Sequence, residues 1–89
     1  PVVVEPSLRP RHAWLDLPAL LSMDDEALVA RFAGTPLRRA AGPRLRRNAA
    51  IVLGNIGDLA ALPALELAAR DPAAVVVDAA EWAIDTLRR

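Results

Sequence analysis

The chain has 89 residues, eleven arginines but no lysine, eleven acids, and a formal net charge of zero. That length makes one small domain with a limited core. The absence of cysteine excludes a disulfide framework and any thiolate-held metal or cluster, and a single histidine, His12, is too little for zinc. The longest uncharged run, Asn48 to Gly57, is far short of a membrane span, so no membrane partner is expected.

Pro1 to Pro10 carries three prolines around Val2-Val3-Val4. Proline fixes φ and has no amide donor, so residues 1–13 are expected to form an extended strap. Such a strap would be poorly packed alone and would lead in from an upstream region of a longer protein, with the helical domain occupying residues 14–89. Asp16 can cap a short helix through Leu21, with Pro18 tolerated in its first turn. Ser22-Met23-Asp24-Asp25 matches a capping box with Ser22 as N-cap. The helix after it sets Leu28 and Phe32 four apart and stops at Gly34-Thr35-Pro36.

A loop bearing Arg38 and Arg39 leads to the next helix, which starts at Pro43. Its apolar series is Leu45, Ala49, Val52, Leu53 and Ile56, and Gly54 and Gly57 are expected to end it. Asp58 then caps a helix with Leu62, Leu65 and Ala69 on one face. Asp71-Pro72 marks the last connection, and Val75 to Leu87 forms the last helix. Shifting the Pro43 series by 31 gives Val76, Ala80, Ala83, Ile84 and Leu87, again all apolar. A buried stripe recurring at fixed spacing, with a helix between, is a sign of stacked helical hairpins. The expected fold is all-α and HEAT-like.

No pattern recruits a base to Ser7, Ser22, Thr35 or Thr86, and Gly54-Asn55-Ile56-Gly57-Asp58 follows no strand, unlike a phosphate-binding loop. Asp24, Asp25 and Glu26 suit the first turn of a helix, where the macrodipole favours acids. Trp14 and Trp82 read as core or interface anchors. No catalytic residue is assigned. The charge distribution is more informative. Between Glu26 and Asp58 there is no acid, while Arg31, Arg38, Arg39, Arg44, Arg46 and Arg47 all fall there. A helical wheel puts Arg44, Arg47 and Asn48 on one side of the Pro43 helix and Arg46 on another. An anion at that helix start would meet free amides, the positive dipole end and guanidinium groups together. The competing reading is a solvated basic face, balanced by acids of the Asp71–Asp85 half.

Several stretches carry a resemblance: Phe32-x-Gly34-Thr35-Pro36-Leu37-x-Arg39, Leu45-x-Arg47-Asn48, Leu53-Gly54-Asn55-x-Gly57-Asp58 and Ala79-Ala80-x-Trp82-Ala83-Ile84. Together they resemble the C-terminal domain of epoxyqueuosine reductase, from about Trp14 to Leu87. The chain departs from the usual pattern at Ala41, where glycine is frequent, and at Val77, where arginine is usual. The resemblance implies a basic, HEAT-like, cytoplasmic module that lies against a tRNA anticodon stem-loop. It implies nucleic-acid contacts from Arg38, Arg39, Arg47 and Asn48, to which the helix-start reading adds Arg44, and an upstream catalytic domain in the same polypeptide. The parent would be an oxidoreductase of queuosine biosynthesis, carrying two 4Fe-4S clusters and cobalamin outside this chain. The rival readings are a HEAT-like protein-interaction domain of a bilin-lyase-like or scaffold protein, and a cap domain without RNA contact.

Overall fold

The computed structural model describes residues 16–89; the strap, His12 and Trp14 lie outside the described residues. Its helices are α1 (Leu17–Leu21), α2 (Asp25–Arg31), α3 (Pro43–Ile56), α4 (Leu62–Ala68) and α5 (Ala74–Leu87). Short 3₁₀ helices cover Pro36–Ala40 and Leu59–Ala61. Among the described residues there is no strand, so the fold is all-α.

Local chemistry sets most of these boundaries. The Asp16 carboxylate accepts from the Ala19 amide and caps α1, and Asp58 accepts from the Ala60 amide to open the second 3₁₀ helix. Pro43 occupies the first turn of α3, where its missing N–H costs nothing. Gly57 ends α3 with φ at 81°, a left-handed conformation that favours glycine, and its N–H reaches the Leu53 carbonyl. The start of α2 differs from the expected capping box. Ser22 closes α1 instead, its hydroxyl donating to the Ala19 carbonyl, while the Asp24 carboxylate accepts from Ala27 at 2.8 Å and is the N-cap. The segment expected as a loop before Pro43 contains the Pro36–Ala40 3₁₀ helix, so Arg38 and Arg39 sit on an ordered turn.

Two apolar clusters hold the chain together. In the larger, α3 and α5 pack on one another, with α1 and α4 against them. Its α3 members are Ala49, Ala50 and Leu53; its α5 members are Val76, Ala79, Ala80 and Ala83. Small side chains dominate this seam, which lets the two backbones approach closely. The smaller cluster is built of larger groups: Leu20, Leu28 and Phe32, with Leu37 and Leu45 partly buried against them. Full burial of each leucine or phenylalanine is worth about 1.5–3 kcal/mol, so this satellite fastens α2 and the first 3₁₀ turn to α1 and α3.

The buried stripe of α3 is rotated from the expected one. Val52 is 42% and Ile56 61% exposed, and Leu45 belongs to the satellite cluster. The residues that face inward are Arg46, Ala49, Ala50, Leu53 and Gly54. On α5, Val76, Ala80 and Ala83 are buried as expected, and Ile84 and Leu87 pack partly buried on the same core. The buried sets of the two helices correspond at a spacing of 30 rather than 31: Arg46 with Val76, Ala49 with Ala79, Ala50 with Ala80, Leu53 with Ala83. The aliphatic series missed this because it excluded an arginine and a glycine from the inward face.

Gly54 lies inside α3 and does not end it. Glycine in a helix interior costs about 0.5–1 kcal/mol relative to alanine, and its neighbours explain its presence here. A Cβ built on Gly54 would stand 2.6 Å from Cζ3 of Trp82 and 3.0 Å from Cβ of Ala83, both on α5. The missing side chain is what lets the indole lie against the backbone of α3.

Candidate nucleic-acid interface

The first two turns of α3 carry three arginines, and the helix sorts them. Arg46 faces inward and is 3% exposed. Its Nε donates to Asp71 Oδ2 at 2.7 Å and its Nη2 to Asp71 Oδ1 at 3.2 Å, a bidentate pair. Its Nη1 donates to Asp25 Oδ1 at 2.6 Å and to the Met23 carbonyl at 3.4 Å. One side chain thus ties together the start of α2, the start of α3 and the connection between α4 and α5. Asp71 Oδ1 also accepts from the Ala73 amide.

Burial disfavours the charge on Arg46, but the hydrogen bonds to Asp71 and Asp25 and the charges of both carboxylates outweigh it, and its pKa is raised. Burial likewise disfavours a charged Asp71. The hydrogen bond from Arg46, then that from the Ala73 amide, and the guanidinium charge prevail, and its carboxyl is held below the usual carboxylate range. The acid-free stretch therefore carries one fewer uncompensated charge than its composition indicates. Arg46 leaves the Arg44/Arg47 side as the wheel requires, but inward, into a structural ion triad that periodicity of apolar residues does not reveal.

The proposed contact residues are all exposed: Arg38 and Arg39 on the first 3₁₀ helix, Arg44, Arg47 and Asn48 on α3. Among the described residues, Arg38, Arg39 and Arg44 have no ion pair. Arg47 and Asn48 are brought together: Nε and Nη2 of Arg47 donate to Asn48 Oδ1 at 3.2 and 2.8 Å. That fork fixes the guanidinium plane and leaves Nη1 unclaimed among the described residues. The first turn of α3 carries no acid of its own and no side-chain cap, and the acid that comes near it is Asp25 of α2, whose Oδ1 would stand 3.8 Å from a Cβ on Gly42 and is bonded to Arg46.

Among the described residues, two concavities that include residues of α3 differ in charge. A cleft of about 650 Å³ is lined by Asp24, Asp25, Glu26 and Asp71 around Arg46. Its carboxylates repel phosphate. A second groove, of about 440 Å³, runs between α3 and α5 and is lined by Arg47, Ile51, Val75, Asp78, Ala79 and Trp82. Trp82, read from the sequence as a core or interface anchor, is 42% exposed and lies outside both buried clusters, against Gly54 of α3. No group of three His, Cys, Asp or Glu among the described residues is placed to hold a metal ion, and without cysteine the chain has no ligands for an iron–sulfur cluster. No helix among the described residues is long and apolar enough to cross a membrane.

The chain is 38% identical over 84 residues, 90% of its length, to an epoxyqueuosine reductase of Xanthomonas campestris pv. campestris. The resemblance carried by the Arg47-Asn48 and Leu53-Gly54-Asn55 segments is thus part of a similarity across nearly the whole chain. The chain spans 23% of that relative's length, consistent with one domain of a longer polypeptide. No protein-family profile matches the chain, and no solved structure matches it.

Proposed function

We propose that the chain is the tRNA-binding module of an epoxyqueuosine reductase, an enzyme of queuosine biosynthesis, and that it contacts the anticodon stem-loop. The observation that carries this reading is the set of exposed arginines, Arg38, Arg39, Arg44 and Arg47, without ion pairs among the described residues, on and just before a helix whose own first turn carries no acid. The similarity to a reductase that acts as a much longer polypeptide supports it. In the proposal the module is cytoplasmic and HEAT-like, the recurrence of buried positions between α3 and α5 supporting the latter. The oxidoreductase chemistry, with two 4Fe-4S clusters and cobalamin, belongs to the upstream catalytic domain, since the residues here do not fit those groups.

A labelled anticodon hairpin titrated with the full-length polypeptide tests the reading. Binding should weaken steeply between about 50 and 200 mM salt as phosphate contacts release counterions. Affinity and salt slope unchanged in the Arg39→Ala/Arg47→Ala variant would sink the RNA reading. A second reading, a cap or protein-interaction domain, is favoured by the exposed Val52 and Ile56 in the second half of α3 and Leu59 in the 3₁₀ helix after it. These residues suit contact with the upstream domain and are compatible with RNA on the arginine side.

A further inference from the structure

The groove between α3 and α5 combines groups that the arginine set alone does not use. Trp82 forms part of its wall, half exposed, and Gly54 supplies the space that holds the indole against α3. Arg47 stands in the same groove with its fork locked on Asn48 and Nη1 unclaimed among the described residues. Asp78 also lines it, and the remaining lining residues are aliphatic. Its volume of about 440 Å³ falls in the range of about 300–1,000 Å³ typical of small-ligand sites.

We infer that this groove takes an unpaired base of an RNA strand, stacked on Trp82, with an adjoining phosphate on Arg47. The inference rests on the RNA-binding reading above and names the part of the RNA that is held. A held indole is a stacking platform for any base, because every base has a π face. A guanidinium with a fixed plane and a free N–H edge suits a phosphate oxygen. Asp78 accepts a hydrogen bond from an N–H on the base edge, which a phosphate cannot offer. An apolar peptide segment in the same groove would desolvate Arg47 and Asp78 without partners, a cost that a nucleotide avoids.

The test uses the full-length polypeptide and an anticodon-type hairpin in which the fluorescent base 2-aminopurine is scanned through every loop position. Binding should quench the probe at one position, as stacking on an indole does. Trp82→Phe keeps an aromatic face and should retain binding. Trp82→Leu keeps an apolar side chain but has no π face; it should abolish the quench and weaken binding about 5- to 150-fold, the range for one lost stack. The salt slope should be unchanged in both, whereas Arg47→Ala should make it shallower. If the wild type binds with a steep salt slope and Trp82→Leu binds equally well, the groove inference falls and the RNA reading stands. Weakened binding by Trp82→Leu with no probe response at any position also overturns it, assigning Trp82 a shape or protein-contact role. If the wild type fails to bind the hairpin at any salt concentration, both fall.

Discussion

Arg46 and Arg47 are neighbours in the chain and opposites in the structure. The first is 3% exposed and holds two carboxylates from other parts of the fold; the second is exposed and, among the described residues, bonded only to the neutral Asn48. One residue along a helix is a rotation of about 100°, enough to move an identical side chain from the core to the surface. A count of local positive charge treats the two alike. Their partners do not: a guanidinium with its carboxylates in place is part of the fold, and one without them is available to an anion from outside. The same division runs across α3 as a whole, with an inward face of Ala49, Ala50, Leu53, Gly54 and one ion triad, and an outward face carrying Arg44, Arg47 and Asn48.

Breaking the inward side should have the largest effect. Arg46→Ala leaves Asp71, nearly buried, without its counter-charge, and truncating one partner of a buried pair costs about 3–5 kcal/mol. Asp25 loses a partner too, but its side chain is 62% exposed, so water replaces most of that bond. Urea denaturation should report the loss, and Arg46→Lys should recover only part of it because an ammonium cannot make the bidentate contact. RNA affinity per folded molecule should be unaffected. Leu53→Ala, in the larger core, should cost about 2–5 kcal/mol by the same assay.

Acid tests the triad without mutation. The carboxyl of Asp71 is depressed in the folded state, so the stability it contributes is present above its unfolded value, about 3.9, and is lost as pH falls through the lower folded value. Unfolding free energy should therefore decline below about pH 4 more steeply in the wild type than in Asp71→Asn. Equal slopes in the two would show that the triad contributes nothing to acid sensitivity.

Much of the fold was legible from the residues because its signals are local. Asp16, Asp58, Pro43 and Gly57 act through groups within a few residues of themselves, and each sits where its chemistry suggested. The inward face of α3 was less legible for a physical reason. Apolar periodicity finds a buried stripe only when every buried position is apolar. Here Arg46 takes the place that Val76 takes on α5, and Gly54 makes room for Trp82, so counting aliphatic residues turned the stripe toward Val52 and Ile56. The partners of Arg46 are 21 and 25 residues away, too far for local pattern to pair them. The acid-free interval from Glu26 to Asp58 hinted at remote compensation, and Asp71 supplies part of it. The groove depends on the α3–α5 contact and has no signature in either helix alone.

Arg44 gives the smallest expected change in stability, and its sign separates the outward arginines from the inward one. It is the second residue of α3, exposed, without an ion pair among the described residues, at a helix end where the dipole is already positive. Arg44→Glu replaces an unfavourable charge with a favourable one and should raise stability by about 0.3–1 kcal/mol at low salt, fading as salt is added. Arg47→Glu should give much less, because the dipole's influence falls off within the first turn and Arg47 lies beyond it. Both should weaken hairpin binding, since each places an acid where a phosphate is proposed to sit. A protein made more stable and less able to bind RNA by the same substitution is what a surface retained for binding predicts. If Arg44→Glu instead destabilised the fold as Arg46→Ala does, Arg44 would have a structural partner, and the contrast between the two faces of α3 would not hold at that residue.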